Sequence, residues 1–143
     1  DYVRIKPSLL PKLYIAYKTD LGKVSGKVLN DIAQRYQRGD KEVIDTLKRI
    51  GDLATDGKEA ITNHDVTELN KLIDENFDLR CKIMNVSDSN KEMVGIAREC
   101  GASAKFTGSG GSIIGVYTDD EMLTRLIIEL KKINARVIKP YIV

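Results

Sequence analysis

Between Lys105 and Tyr117 the chain reads Lys-Phe-Thr-Gly-Ser-Gly-Gly-Ser-Ile-Ile-Gly-Val-Tyr, a segment rich in glycine and hydroxyls between two β-prone runs. Gly108, Gly110 and Gly111 can take positive φ and let a ligand approach the backbone with no Cβ in the way. Successive amides in such a turn can converge on an anion. Thr107, Ser109 and Ser112 add hydroxyls that rotate to suit a phosphate or a sugar. Oxyanion binding is the chemistry these residues suit. A plain hairpin turn uses the same glycines, and the glycines alone do not separate the two readings.

Other polar residues are weighed beside this turn. Lys23 and Ser25 stand where a first strand gives way to a long helix, a place where an anion can bind, although solvated charge explains them as well. In Asn76-Phe77-Asp78-Leu79-Arg80 the phenylalanine packs inward. Asp78 and Arg80 either cover the exposed face, or Asn76 or Arg80 reaches a polar ligand from the helix wall. Lys105 alternates with Phe106 along a strand, and Phe106 is the one that faces the core. The single histidine, His64, lies in the polar turn Thr62-Asn63-His64-Asp65 and reads as a surface residue. No metal-ligand spacing accompanies it, and a catalytic triad has no support. The pair Asp119-Asp120 is explained by a helix start, where negative charge is favoured by about 0.3–1 kcal/mol.

The elements that hold these residues follow from periodicity. Leu13–Tyr17 is a strand introduced by Pro11, and Tyr2–Ile5 is a candidate short strand. Val24, Val28, Ile32 and Tyr36 mark one face of a helix that Arg38-Gly39-Asp40 ends. Asp40 caps a second helix, with Val43, Leu47, Ile50 and Ala54 on one face. Gly51 and Gly57 cost that helix about 1 kcal/mol each, and either permit close packing or mark a bend. Asp65 and Glu68 have capping-box spacing before Leu69, Leu72, Ile73, Phe77 and Ile83. Ser89 and Glu92 repeat the signal before Met93, Val94, Ala97 and Cys100, and Gly101 stops that helix. Ala102–Thr107 and Ser112–Tyr117 are strand-like. Thr118 and Glu121 form a third capping pair before Met122, Leu126, Ile127, Leu130 and Ile133. Ala135–Val143 ends as a strand, with Pro140 at a tolerated edge position. The helix between the strand pair and the last strand makes a β-α-β element. The whole is an α+β fold, with helices packed on one face of a mainly antiparallel sheet.

Bulk composition agrees with one such domain. The 143 residues are 42% hydrophobic and 31% charged, a soluble globular balance with length enough for a core. A formal charge of +2 offers no broad basic surface for nucleic acid. The apolar runs are far too short to span a bilayer, and no signal peptide is visible. Cys81 and Cys100 do not make a disulfide framework, so a reducing cytoplasm is the expected compartment. The start at Asp1 instead of Met suits a piece of a longer polypeptide.

Taken whole, Gly101-Ala102-Ser103-Ala104-Lys105-Phe106-Thr107-Gly108-Ser109-Gly110-Gly111 resembles the third motif of the GHMP kinases, a superfamily named for galactokinase, homoserine kinase, mevalonate kinase and phosphomevalonate kinase. The context is similar as well: a short helix ending in Gly-Ala, a strand, the turn and a second strand. Asn76-Phe77-Asp78-Leu79-Arg80, and Gly22-Lys23-Val24 after a Leu-Tyr-Ile strand, resemble the plant-type glucuronokinases within that superfamily. The likeness runs from about Leu13 to the end.

The resemblance implies a ferredoxin-like C-terminal domain, residues 1–143, of a two-domain ATP- and Mg²⁺-dependent kinase. The substrate would be a sugar acid phosphorylated at its anomeric hydroxyl. Thr107, Gly108, Ser109, Gly110 and Gly111 match the motif that closes over the phosphates; Lys23, Ser25, Arg80 and Ser112 are the candidate substrate contacts. In the superfamily the phosphates rest mainly on a Pro-x-x-x-Gly-Leu-x-Ser-Ser-type loop of an N-terminal domain, together with the group that assists the attacking hydroxyl. No such segment is present here. The resemblance thus assigns no catalytic residue and no metal ligand to this chain, and implies an N-terminal kinase domain as partner. An exposed apolar face should mark where that domain docks. Glucuronate, galacturonate, a heptose phosphate and a neutral sugar stay open as substrates. A stand-alone α+β module that senses a small anion or sugar, and a helical interaction scaffold, are the competing readings.

Overall fold

The computed structural model describes residues 4–18, 26–107 and 111–142. Strand β1 is Leu13–Tyr17 and helix α1 is Gly26–Gln37. Gly39, at φ +80°, turns the chain into α2, Lys41–Thr62, whose Asp40 cap accepts from the amides of Glu42 and Val43. His64 is exposed at φ +55°, and Asp65 caps α3, Val66–Ile83, through the Glu68 amide. Helix α4 is Asp88–Glu99, and Gly101 ends it at φ +96°. Strands β2, Lys105–Phe106, and β3, Ser112–Val116, flank the glycine turn. Helix α5, Asp120–Lys131, and β4, Arg136–Ile138, close the order.

Several sequence expectations shift. Arg4 and Ile5 lie outside any strand, and the rest of the Tyr2–Ile5 candidate falls outside the described residues. In α2 the buried residues are Val43, Thr46, Leu53 and Ala60, while Ala54 is exposed and Leu47 largely so. The buried stripe lies on the 46/53/60 side because that side faces α3, where Leu53 and Ala60 meet Leu69 and Leu72. Helix α4 is capped by Ser87, accepting from the Asn90 amide, and not by Ser89. Starting there places Asp88 in the first turn, where the helix dipole favours it. Asp119, not Thr118, caps α5 through the Met122 amide at 2.8 Å, and the Thr118 hydroxyl is turned to the Met122 sulfur. An ionised carboxylate is the stronger acceptor for an orphan amide. The last strand is only three residues long; Pro140, lacking an N–H, follows soon after it.

The four strands lie in the order β2-β3-β1-β4, every neighbouring pair antiparallel. Strand β1 is inserted between β3 and β4, so the β3-α5-β4 crossover spans it: an α+β, ferredoxin-like arrangement. Tyr14, Ala16, Phe106 and Ile113 turn to one side of the sheet and join Phe77 of α3, Met93, Val94 and Ala97 of α4, and Leu126 and Leu130 of α5 in the main core. A second cluster binds Leu53 and Ala60 of α2 to Leu69, Leu72 and Leu79 of α3, and includes Val116 at one end of β3. Arg49 ties these two helices with both oxygens of Glu75, at 2.6 and 3.0 Å.

The strand expected over Ala102–Thr107 is in register with β3 only at Lys105 and Phe106, because groups from distant segments engage the residues before them. Ser103 still donates from its amide to the Val116 carbonyl at 3.4 Å, but its other groups turn to side-chain bonds. Its carbonyl accepts from the buried Tyr14 hydroxyl at 2.7 Å, and its hydroxyl accepts from the Val116 amide at 3.0 Å. The Ala104 amide donates to Asp74 Oδ1. This close approach needs a residue without a side chain opposite: a Cβ on Gly115 would sit 1.7 Å from the Ser103 carbonyl oxygen. Gly51 and Gly57 are different, since a Cβ there meets nothing within 4 Å. They neither admit a close neighbour nor interrupt α2.

These contrasts set opposite outcomes for the same substitution. Gly115→Ala should lose about 3 kcal/mol or more, because the colliding atom is backbone and cannot swing away. Gly51→Ala should gain about 0.5–1 kcal/mol from helix propensity alone. Urea unfolding of the two variants checks both signs.

Candidate functional site

The glycine turn is fastened at both ends. At its start the Thr107 amide donates to the Ser112 carbonyl at 3.2 Å, and the two side-chain hydroxyls of the same residues share a hydrogen bond. At its end Gly111 takes φ +85°, and its carbonyl accepts from the Lys18 amide at 3.3 Å just beyond β1. The turn is therefore held by β3 and the central strand together. Thr107 is exposed; Gly111 and Ser112 are half-buried. Gly108, Ser109 and Gly110, and the candidates Lys23 and Ser25, lie outside the described residues.

Register brings further groups to this end of the sheet. Ser112 pairs with Tyr17, and Tyr17 pairs with Arg136. Paired residues share a face, so a row of Thr107, Ser112, Tyr17 and Arg136 crosses the sheet on the side away from the main core. Next to it a groove of about 670 Å³ is lined by Tyr17, Ile127, Lys131, Asn134, Arg136 and Ile138, among others. Asn134 stands at φ +62° there, in the left-handed region that asparagine tolerates best among residues with side chains. Ile127, Ile128 and Ile138 are 44%, 52% and 46% exposed, an apolar fringe on α5 and β4.

Lys105 was legible only as the solvent-side neighbour of Phe106, yet it is half-buried. Its amine donates to the Phe106 carbonyl at 2.9 Å. Burial pushes its pKa below the ordinary lysine value, and the nearby Arg80 guanidinium pushes it the same way. Arg80 on α3 donates from Nε to Asn76 Oδ1 at 3.0 Å. The neighbouring carboxylates are engaged elsewhere. Arg98 of α4 takes Asp74 at 3.2 Å and Asp78 at 2.9 Å, and its guanidinium lies 5.5 Å from the Phe77 ring centroid. Burial raises the Asp74 carboxyl above its usual range, against the pull of the Ala104 amide and of Arg98. Among the described residues neither Arg80 nor Lys105 forms an ion pair, and no group of three His, Cys, Asp or Glu could hold a metal.

Lys105→Met is expected to leave the fold at least as stable at neutral pH. The folded-state pKa lies below the ordinary 10.5, so the unfolded chain binds more protons between those two values. The cost of the charged amine is fully present below the folded pKa and fades as pH rises to 10.5. Denaturation of both proteins across that range should show a stability gap in favour of methionine that narrows upward; a gap independent of pH contradicts this account.

The sequence model of the family described as GHMP kinases C terminal matches residues 58–132, from the last turns of α2 through the glycine turn to the end of α5. Glucuronokinase 1 of Arabidopsis thaliana is 39% identical over 131 residues, covering 90% of this chain and 36% of that protein. Probable glucuronokinase 2 of the same plant is 32% identical over 142 residues, 97% of this chain and 38% of that protein. The chain spans little more than a third of the length of these relatives. The solved structure of L. major mevalonate kinase in complex with R-mevalonate aligns at a TM-score of 0.73 and 20% identity, over 92% of this chain and 44% of that one, a likeness of fold. With more than half of the residues inside the family match, and the turn and its flanking strands among them, this chain belongs to the GHMP kinase C-terminal family.

Proposed function

We propose that this chain is the C-terminal part of an ATP-dependent sugar kinase that phosphorylates the anomeric hydroxyl of a sugar acid such as glucuronate. The observation that carries the reading is the turn between β2 and β3, clamped at Thr107, Gly111 and Ser112. Similarity to two proteins named as glucuronokinases supports the substrate class.

ATP with Mg²⁺ would supply the transferable phosphoryl group and disperse its charge. The donor set fits the phosphates: a positive-φ glycine whose position in the turn is fixed, and two hydroxyls beside it. It does not supply a metal site among the described residues, so the metal ligands would come from an N-terminal domain. Phosphoryl transfer asks for positioning and electrostatic stabilisation more than for covalent help. In this reading backbone amides of Ser109 to Gly111 would donate to the phosphate oxygens, and the bonds at Thr107, Gly111 and Ser112 would anchor the ends of the turn. Preorganisation is what lets such donors act on the transition state instead of on the ground state. The exposed isoleucines of α5 and β4 would be covered by the N-terminal domain. The cytoplasmic compartment belongs to the same proposal.

The test is ADP formation from ATP, Mg²⁺ and glucuronate. The complete polypeptide should turn over and yield a sugar 1-phosphate, and this chain alone should not. Sugar binding by the lone chain, with no turnover in either case, would instead favour a sensing module. In the complete enzyme Gly110→Val should lower kcat/KM by about a hundredfold or more with little change in the melting temperature. Normal turnover in that variant would remove the turn from the mechanism.

A further inference from the structure

Strand β2 is the edge strand of the sheet, and α3 packs against it. Phe77 of α3 meets Phe106 of β2 edge to face, with ring centroids 5.1 Å apart. Arg80 lies one turn along α3 from Phe77, and Lys105 precedes Phe106. The aromatic contact therefore brings α3 and β2 together at the sheet edge, and the Arg80 guanidinium is near enough to Lys105 to push the pKa of its amine down. Two partly buried cations side by side repel each other, and a fold that needed only solvent-exposed charge would splay them apart. Instead Asn76 holds the guanidinium by its Nε at 3.0 Å. That bond occupies one edge of the group and leaves the Nη pair for a planar, bidentate acceptor. The carboxylates that could have neutralised the pair, Asp74 and Asp78, are turned to Arg98. Among the described residues neither Arg80 nor Lys105 meets a carboxylate.

We propose that Arg80 and Lys105, with Asn76 fixing the guanidinium, form a subsite for the carboxylate of the sugar acid. The inference rests on the kinase reading above and names the substrate group that the pair would take. Lys105 lies two residues before Thr107 on the same face of β2, about 6–7 Å of strand away from the turn. In a hexuronic acid the carboxylate on C5 and the anomeric hydroxyl on C1 flank the ring oxygen. A sugar held with its anomeric oxygen at the turn and its ring-oxygen edge along β2 would set its carboxylate toward the pair. A neutral sugar leaves both cations without a partner, so the pair discriminates as well as binds.

The experiment uses the complete enzyme, with Arg80→Gln, Lys105→Met and Lys105→Arg. Steady-state kinetics are measured for glucuronate, glucose and ATP. Arg80→Gln and Lys105→Met should each raise KM for glucuronate about tenfold or more. KM for ATP and the rate on glucose should stay within about twofold, and Lys105→Arg should restore most of the loss. A rise in KM for ATP, or equal losses toward glucuronate and glucose, overturns the proposal, as does unchanged KM for glucuronate. Should the parent enzyme phosphorylate no sugar, the kinase reading fails by itself, and calorimetry then decides the subsite. Glucuronate binding that is abolished in Arg80→Gln and matched by no binding of glucose keeps it; absent or unaltered glucuronate binding removes it.

Discussion

The structure depends on one close contact, where the chain leading into β2 is pressed against the middle of the sheet. Tyr14 donates from the floor of the core to the Ser103 carbonyl, Ser103 in turn accepts from Val116, and Gly115 gives the space. Burial pushes the Tyr14 phenol far above its ordinary range, so it remains a donor at any pH the protein meets. Through this seam the N-terminal strand, the end of α4 and the β2-β3 hairpin become one body. The glycine turn inherits its position from it: one end hangs from β3, and the other is tied to the residue just past β1. A turn anchored only within its own hairpin would move with the hairpin. This one is referred to the central strand.

The distribution of charge follows a similar economy. Asp40 is held by Arg35 and by two helix amides, and its carboxyl lies below the usual range chiefly because of that arginine. Arg35 also reaches the Ile83 carbonyl, linking the end of α1 to the end of α3. Glu75 is lowered by Arg49 in the same manner. Exposed pairs of this kind contribute little to stability individually. Their effect is to decide which helix faces stay together and to use up the acidic groups on α3. Asp74 and Asp78 go to Arg98, while Arg80 and Lys105 form no ion pair among the described residues.

Sequence reading succeeded where a property is local. The bounds of β1 were legible because Pro11 and alternating apolar residues fix them, and Asp40, Asp65, Gly39 and Gly101 each mark an end by chemistry confined to one turn. It missed by one or two residues where adjacent residues compete for the same role, as Ser87 with Ser89 and Asp119 with Thr118. It overestimated β2, since nothing local says that Ser103 and Ala104 bond to side chains brought from Tyr14 and Asp74. The candidate site shows the same limit. Thr107, Gly111 and Ser112 stood out by composition, whereas Tyr17 and Arg136 join them only through register, which arises from pairing between distant segments. Lys105 looked like ordinary alternation. The signal available was its spacing of two from Thr107, which puts both on one face.

The placement of β1 has a consequence for how the molecule is made. Leu13 pairs with Val116, and Ile15 with Ile138, so the first strand of this sheet to be synthesised pairs only with strands from the far end of the chain. The α2-α3 hairpin, with its own apolar contacts and the Arg49–Glu75 clasp, has everything it needs long before that. Contacts of such separation are slow to form, because the loop must close before any bond rewards it. During synthesis an unpaired Leu-Tyr-Ile-Ala-Tyr segment thus waits, tethered to preformed helices, for its partners to arrive.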